Sequence, residues 1–311
     1  MHLGLTPWHL SGHAEGRELV RQAALAEGWG YESFWLPENH FRGANQPPGA
    51  AAIPEPLMLL AAVAGGTSRI RLGTTSYLLP LRHPLQAAEQ VAVLDQLSGG
   101  RVTLGVGRGY QGAMFDAFAI ERKDKRRIFA WCLNAMIRAW QGEPVVTSEG
   151  AEPVVLSPLP VQKPHPPIWV AAFGPKALAQ AAAFGSPYLA SPMETVQRLR
   201  TNYARHAEAC AEQDVASPPE VPIMRSVFVS EDAGLVRRMR EKLEMQPDPR
   251  RGDMPTDEWA IIGEPGAVKE RVAQYVEELG MTHLIVTRLR IGGVESRVLE
   301  ESVARTASLL L

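Results

Sequence analysis

The sequence lacks the features that mark several classes of protein. It has only two cysteines in 311 residues, Cys132 and Cys210, and neither lies in a Cys-x-x-Cys or Cys/His spacing, so we expect plain core or surface cysteines. Basic and acidic residues nearly cancel, 32 against 34, which argues against a nucleic-acid partner or attraction to a membrane surface. No apolar run suits a signal peptide or a membrane span, which favours a cytoplasmic protein.

What the sequence does contain is a central stretch that combines strand, helix and strand. Residues 70–78 are predicted to form a strand, Pro84 suits the first position of the following helix, and the Gly99-Gly100 pair suits its end. A second strand, 102–106, leads into Gly107-Arg108-Gly109. Ligands bind at the carboxyl ends of strands in parallel α/β folds, so Arg108 is a candidate binding residue.

Strands and helices alternate along the whole chain. Eight strands are expected, each with a helix after it, at 3–6, 33–36, 70–78, 102–106, 168–171, 188–189, 223–229 and 283–287. This alternation indicates a (β/α)8 TIM-type barrel in one domain, 1–311. The proline-rich segment 141–167 is predicted to be an insertion between the fourth helix and the fifth strand, and 247–255 is predicted to be a mobile loop.

An open doubly wound sheet is the main alternative fold, because alternation alone does not decide whether a sheet closes. The nearest approach to a dinucleotide fingerprint is 105–109, but Tyr110 stands where the last glycine is needed and Gly105 lies within the strand. We therefore do not expect a nicotinamide site of Rossmann type. No Ser/His/Asp set, Walker lysine or metal-ligand spacing stands out.

In a barrel, the residues at the carboxyl ends of the strands share one mouth. Gly174-Pro175-Lys176 follows a strand and begins a helix whose free N–H groups suit a phosphate, although it is also simply a good helix start. His40, with Glu38 nearby, suits a general base; a histidine that only hydrogen-bonds within its loop is the alternative. The other mouth residues are Trp8, His9, Asn39, Phe41, 77–79, 108–110, Phe173, Arg225 and Arg288.

Several motifs, in order along the chain, resemble the bacterial luciferase-like family of flavin-dependent monooxygenases. They are YESFWLPENHF (31–41), RIRLGTTSYLLPLRHPLQAAEQVAVLDQLSGGR (69–101), GVGRGY (105–110), PLPVQKPHPPIWVAAFGP (158–175), IGEP (262–265) and GMTH (280–283). The resemblance implies a TIM-type barrel with an insertion. It also implies a reduced flavin, usually FMN supplied by a separate reductase, bound at the mouth of the barrel.

The resemblance also implies cofactor-binding residues. Arg108 is similar to the family's flavin-phosphate arginine, and Gly174, Lys176 and Ala177 are similar to its backbone phosphate cradle. The segment 74–76 is implied to pass beneath the flavin ring, where family members often hold a non-prolyl cis peptide. The implied cofactor-binding residues are therefore Arg108, Gly174, Lys176, Ala177, Thr74, Thr75, Ser76 and Tyr110.

The implied catalytic residues are Glu38, Asn39 and His40, of which His40 matches the second histidine of the family's Glu-His-His-Phe motif. An apolar substrate pocket is implied by Trp8, Trp35 and Phe41.

Three positions depart from the family's usual pattern. Asn39 replaces the first histidine of the motif, which light-emitting members use in catalysis, and Met114 stands where an acidic residue is common. These departures argue against light-emitting, aldehyde-oxidising chemistry. Gly174 replaces a frequent serine and removes one hydroxyl donor, while the other phosphate elements match.

Three functions stay open on the sequence. The first is a monooxygenase that uses reduced FMN and O2 to oxygenate a small organic substrate. The second is hydride transfer with a deazaflavin coenzyme on the same fold, and the third is a flavin-binding protein without turnover. The resemblance also implies a transient flavin reductase partner and a homodimer formed through helices at 56–64 and 84–97.

Overall fold

The computed structural model describes residues 1–10, 16–41, 53–245, 254–289 and 291–311. Its strands are β1 His2–Leu5, β2 Ser33–Leu36, β3 Arg71–Thr74, β4 Tyr77–Leu78, β5 Val102–Gly107, β6 Ile168–Ala171, β7 Tyr188–Leu189, β8 Pro222–Val229, β9 Ala260–Gly263 and β10 His283–Thr287. Its α-helices are α1 Gly16–Trp29, α2 Pro56–Gly66, α3 Pro84–Ser98, α4 Gly112–Ala117, α5 Lys125–Trp140, α6 Pro175–Ala183, α7 Val196–Glu212, α8 Ala233–Glu244, α9 Pro265–Leu279 and α10 Ser296–Leu310. Short 3₁₀ helices lie at Leu79–Leu81, Arg122–Asp124 and Thr256–Glu258.

The chain divides into two compact units. The first contains Met1–Leu10, Gln22–Trp35 and Ala172–Leu311, and the second contains Ser11–Arg21 and Leu36–Ala171, so far as these are described. Strands alternate with helices in both units, so the predicted α/β class is confirmed. Closure of the strands into an eight-stranded barrel, and the assignment of 1–311 to one domain, stay predictions.

The sheet of the first unit has the strand order β2–β1–β10–β8–β9, and every neighbouring pair is parallel. All eight residues of β8 are buried, which is typical of a parallel strand with both faces covered. β9 was not predicted, because a four-residue apolar strand has too little periodicity to distinguish it from other buried segments.

In the second unit β5 lies between β3 and β6, and β4 pairs with the end of β5, again all parallel. The prediction of a single strand over 70–78 is wrong. The structure has two strands there, β3 and β4, which are separated by Thr75 and Ser76, and the peptide bond between these two residues is cis. Leu72 is paired with Val102 whereas Tyr77 is paired with Val106, so the register slips by one residue across the split. The split places 74–76 at the carboxyl end of β3.

The segment 141–167 contains no helix or strand, and its one isolated bridge joins Val145 to Val154 in antiparallel fashion. Gln162 attaches this segment to α3 and β5. Its backbone N–H and its Nε2 donate to the two carboxylate oxygens of Asp95, at 2.9 and 2.7 Å, and Nε2 also donates to Val102 O at 2.8 Å. Its status as an insertion stays a prediction. The segment predicted to be mobile, 247–255, lies outside the described residues except for 254 and 255.

Replacement of two adjacent glycines of α2 by alanine is expected to change the free energy of unfolding in opposite directions. A Cβ on Gly66 lies 2.3 Å from Cγ1 of Val20 in α1, whereas a Cβ on Gly65 meets nothing within 4 Å. Because Val20 is β-branched and stiff, Gly66→Ala is expected to lower the free energy of unfolding by about 1–3 kcal/mol. Gly65→Ala is expected to raise it by about 0.5–1 kcal/mol, since alanine favours helix. Urea unfolding measures the change in the free energy of unfolding for each variant. Equal changes in the two variants contradict the close packing at Gly66.

Candidate active site

A buried carboxylate and imidazole follow β2. Glu38 and His40 are two residues apart in the second unit, and Nε2 of His40 is hydrogen-bonded to Oε1 of Glu38. Both side chains are almost completely buried. The same carboxylate oxygen accepts from Nη1 of Arg82 at 2.8 Å, and Oε2 accepts from the backbone N–H of Leu78 at 2.9 Å. Three hydrogen bonds therefore compensate the burial of the Glu38 carboxylate.

These contacts define the orientation of His40. A carboxylate that is paired with Arg82 accepts hydrogen bonds, so the Nε2 of His40 carries the hydrogen and donates it. This hydrogen bond leaves Nδ1 as the ring nitrogen that Glu38 does not engage. The ring stands edge-on to Phe118, with centroids 5.0 Å apart, and also contacts Phe41.

The residues on either side of His40 are less enclosed. Asn39 is half-buried and is held through its backbone, where its N–H donates to Ile53 O at 2.9 Å. Phe41 has a positive φ of 56° and its side chain is 60% exposed. Its ring contacts Phe118 at 5.7 Å between centroids. Of the three predicted pocket aromatics, Phe41 is the one beside His40.

The segment 74–76 is held from two sides within the second unit. Oγ1 of Thr74 donates to Gly105 O at 2.7 Å, and the N–H of Thr75 donates to Leu36 O at 2.8 Å. The cis peptide bond lies between Thr75 and Ser76, the segment where the resemblance implied one. A Cβ on Gly107 lies only 2.1 Å from Oγ of Ser76, so glycine is required where β5 passes this segment.

Arg108 lies at the carboxyl end of β5 and is half-buried. Its Nη2 donates to Ala171 O at 3.2 Å, and its guanidinium carbon lies 5.6 Å from the centroid of the Phe129 ring. Burial, together with the positive charge of Arg126, lowers the pKa of Arg108 to about 10. The neighbouring Tyr110 is exposed, and its hydroxyl accepts from Gln111 Nε2 at 3.4 Å.

Lys125, the first residue of α5, joins Arg108 in a cluster of positive charge that the sequence reading missed. Its Nζ donates to Gly109 O at 3.5 Å and lies 5.7 Å from the Phe115 ring centroid. Burial and the charges of Arg108, Arg122 and Arg126 lower the pKa of Lys125. The available signal was the basic run RKDKRR at 122–127, which lies after α4. We call these four residues the cation cluster: Arg108, Arg122, Lys125 and Arg126.

The predicted phosphate cradle belongs to the first unit. Gly174 has a φ of 80° and precedes α6, so the tight turn before this helix requires glycine. Lys176 is exposed, whereas Ala177 is buried and its backbone N–H already donates to Gly174 O at 3.0 Å. The exposed Phe173 ring lies 4.8 Å from the guanidinium carbon of Arg198.

The predicted pocket residues Trp8 and Trp35 and the mouth residue Arg225 are buried in the first unit. Trp35 donates its indole N–H to Ser33 Oγ at 2.8 Å and closely approaches Gly4. Trp8 contacts Trp29, with ring centroids 5.6 Å apart. Arg225 donates to Tyr275 Oη at 2.8 Å and to Glu194 O at 2.7 Å, and it is fully enclosed.

Parallel strands that alternate with helices define an α/β protein, and ligands of such proteins bind at the carboxyl ends of the strands. The sequence model of luciferase-like monooxygenases matches residues 3–283, and the chain belongs to that family. Protein y4vJ of Sinorhizobium fredii is 31% identical over 233 residues, which cover 72% of this chain and 64% of that protein. The oxygenase component of the flavin-dependent trigonelline monooxygenase of Acinetobacter baylyi is 26% identical over 227 residues, 69% of this chain and 59% of that protein.

Solved structures share the fold over almost the full chain. Monooxygenase RslO1 of Streptomyces bottropensis superposes with a TM-score of 0.83 at 23% identity, covering 100% of this chain and 98% of its own. The oxygenating constituent of 3,6-diketocamphane monooxygenase of Pseudomonas putida, in complex with FMN, superposes with a TM-score of 0.78 at 19% identity. The match covers 100% of this chain and 98% of that chain. An F420-dependent secondary alcohol dehydrogenase superposes with a TM-score of 0.78 at 17% identity, and the match covers 100% of both chains. The chain spans less than two thirds of the length of the curated relatives it matches first.

Proposed function

We propose that the protein is a flavin-dependent monooxygenase that uses reduced FMN and O2 to oxygenate a small organic substrate. The cation cluster is the observation that carries this proposal. Burial first, and then the positive charges of the neighbouring cluster members, lower the pKa of Arg108 and of Lys125. A phosphate brings two negative charges and several acceptor oxygens, so its binding offsets this repulsion and matches the donors present.

The cluster therefore fits the phosphate of FMN. Arg108 offers a planar pair of donors and Lys125 a point charge beside it. In this proposal the segment 74–76 and Tyr110 lie against the flavin ring. The role of Gly174, Lys176 and Ala177 as a phosphate cradle stays a prediction. When bound, reduced FMN supplies the electrons that activate O2.

His40 is proposed to move a proton during the reaction. Its Nε2 is engaged by Glu38, so Nδ1 is the atom that takes up or releases the proton. The substitution of Asn39 for a histidine leaves His40 as the one imidazole of its motif. Phe41, which contacts His40, is proposed to lie on the substrate side.

Electrons are proposed to arrive on FMN reduced by a separate flavin reductase. The trigonelline relative is named as an oxygenase component, which supports a two-component system here. Hydride transfer with a deazaflavin coenzyme is the second candidate, because F420-dependent enzymes share this fold. A flavin-binding protein without turnover is the third.

An anaerobic titration distinguishes these functions. We expect reduced FMN to bind tightly under nitrogen, and we expect admitted air to cause oxygen consumption that forms product from a screened set of small substrates. Reduced deazaflavin is titrated in parallel. Binding of the deazaflavin alone, without reaction with air, supports hydride transfer. FMN binding without any substrate-dependent oxygen uptake supports the non-catalytic protein, and binding of neither cofactor contradicts all three.

We also propose that the protein forms a homodimer through α2. The sequence of this helix, PLMLLAAVAGG, has no polar side chain, although Met58 is 72% exposed. An apolar helix face of this kind favours burial against a second copy. Met58→Lys is expected to give monomers in sedimentation velocity, whereas Met245→Lys, at a site 83% exposed in the first unit, is expected to leave the dimer intact. A wild-type monomer contradicts the proposal.

A further inference from the structure

Arg82 is a buried cation with a single orientation. It follows the 3₁₀ helix Leu79–Leu81, and its guanidinium carbon lies 3.9 Å above the centroid of the Tyr77 ring. Tyr77 is itself held by a hydrogen bond from its hydroxyl to Gln90 Oε1 at 2.9 Å. Nη1 of Arg82 donates to Leu78 O at 3.0 Å as well as to Glu38. Stacking and the two hydrogen bonds together leave the guanidinium little freedom.

The position of Arg82 matters because Glu38 is fully enclosed. A carboxylate in such a place holds its charge only while a cation or several donors compensate it. With the cation removed, the group is expected to take up a proton, and a protonated carboxyl becomes a donor. If the added proton stays on Glu38, Nε2 of His40 accepts and the ring hydrogen moves to Nδ1; if the proton goes to the imidazole, both ring nitrogens carry hydrogen. In both cases Nδ1 gains a hydrogen. The charge of Arg82 thus decides which nitrogen of His40 carries the hydrogen.

We propose that Arg82 is a positioning residue for His40: it keeps Glu38 ionised and oriented, so that Glu38 holds the Nε2 hydrogen and leaves Nδ1 to exchange protons. The use of Nδ1 rests on the proposed function. The tautomer itself is a property of the protein alone. The other groups that face this cluster are Glu55, 3.7 Å from Nη2 of Arg82, and the rings of Phe41 and Phe118.

The tautomer is measured by NMR on the full chain labelled with ¹⁵N-histidine, without flavin. Two-bond proton–nitrogen correlations report which ring nitrogen carries the hydrogen, and His40→Gln identifies the His40 signal among the eight histidines. We expect the Nε2–H form in the wild type. In Arg82→Gln, which keeps a polar donor on a shorter side chain but removes the charge, the ratio of Nδ1–H to Nε2–H is expected to rise roughly tenfold or more. Arg82→Lys, which restores the charge, is expected to restore the wild-type spectrum.

A matched control is Arg71→Gln. Arg71 is another half-buried arginine of the second unit, and it donates to Val102 O and Gln162 Oε1. Its replacement is expected to leave the His40 signals unchanged. A wild-type tautomer in Arg82→Gln overturns the proposal, and so does an altered tautomer in Arg82→Lys.

A double variant tests whether Arg82 acts through Glu38, and it keeps the proposal testable if Arg82→Gln alone does not fold. In Glu38→Gln/Arg82→Gln no buried charge is left unpaired, and Glu55, which loses Arg82, is 48% exposed, so folding is expected. If Arg82 acts only through the carboxylate, this variant has the same tautomer ratio as Glu38→Gln. A different ratio overturns the proposal. All these NMR measurements are made without cofactor, so they test the role of Arg82 alone. Failure of the proposed oxygenase function is detected separately, as the absence of flavin binding or of oxygen uptake.

Discussion

Glu38→Ala is expected to lower the free energy of unfolding by about 3–5 kcal/mol, because it leaves Arg82 buried without its carboxylate. The side chain of Glu38 is 0% exposed and that of Arg82 only 9%. Water therefore cannot replace the lost partner, and the N–H of Leu78 loses its acceptor as well. Urea unfolding followed by circular dichroism measures the change.

An exposed pair provides the control. Arg200 and Glu278 approach to 2.6 Å, but their side chains are 51% and 43% exposed. Solvent screens such a pair, so Glu278→Ala is expected to cost less than about 1 kcal/mol. If Glu38→Ala and Glu278→Ala lower the free energy of unfolding by similar amounts, burial does not explain the contribution of the Glu38–Arg82 pair to stability.

Arg108→Ala is expected to weaken the binding of reduced FMN by about thirtyfold or more. The residue is proposed to supply charge-assisted hydrogen bonds from a half-buried position, and loss of one such partner costs about 2–5 kcal/mol. Each tenfold change in affinity corresponds to about 1.4 kcal/mol. Anaerobic fluorescence titration measures the dissociation constant directly, and the affinity of the wild type is expected to fall as salt rises.

Arg127→Ala is the matched control for this experiment. Arg127 lies in the same basic run, but its side chain is 74% exposed and lies 3.5 Å from Asp124. Its loss is expected to change the affinity by less than about twofold. If both variants bind equally well, the phosphate lies elsewhere. If both weaken equally, general positive charge and not the Arg108 contact attracts the cofactor.

Local patterns were enough to predict many of the elements. The β2 and β10 strands have the predicted bounds, and α3 begins at Pro84 and ends at a left-handed Gly99, as the fixed φ of proline and the freedom of glycine require. The extra strand β9 and the split of 70–78 were missed. Neither follows from side-chain periodicity, since both depend on pairing with strands elsewhere in the chain.

The sequence by itself also determined that Glu38 and His40 meet, since residues two apart in extended chain lie on the same side. It placed Arg108 at the end of a strand, which follows from the local pattern alone. Only the tertiary structure decided what these residues touch. Arg82 reaches Glu38 from 44 residues further along the chain, and Lys125 joins Arg108 from the start of another helix. Local sequence sets backbone conformation and facing direction, but charge compensation in a buried site depends on which distant segments pack there.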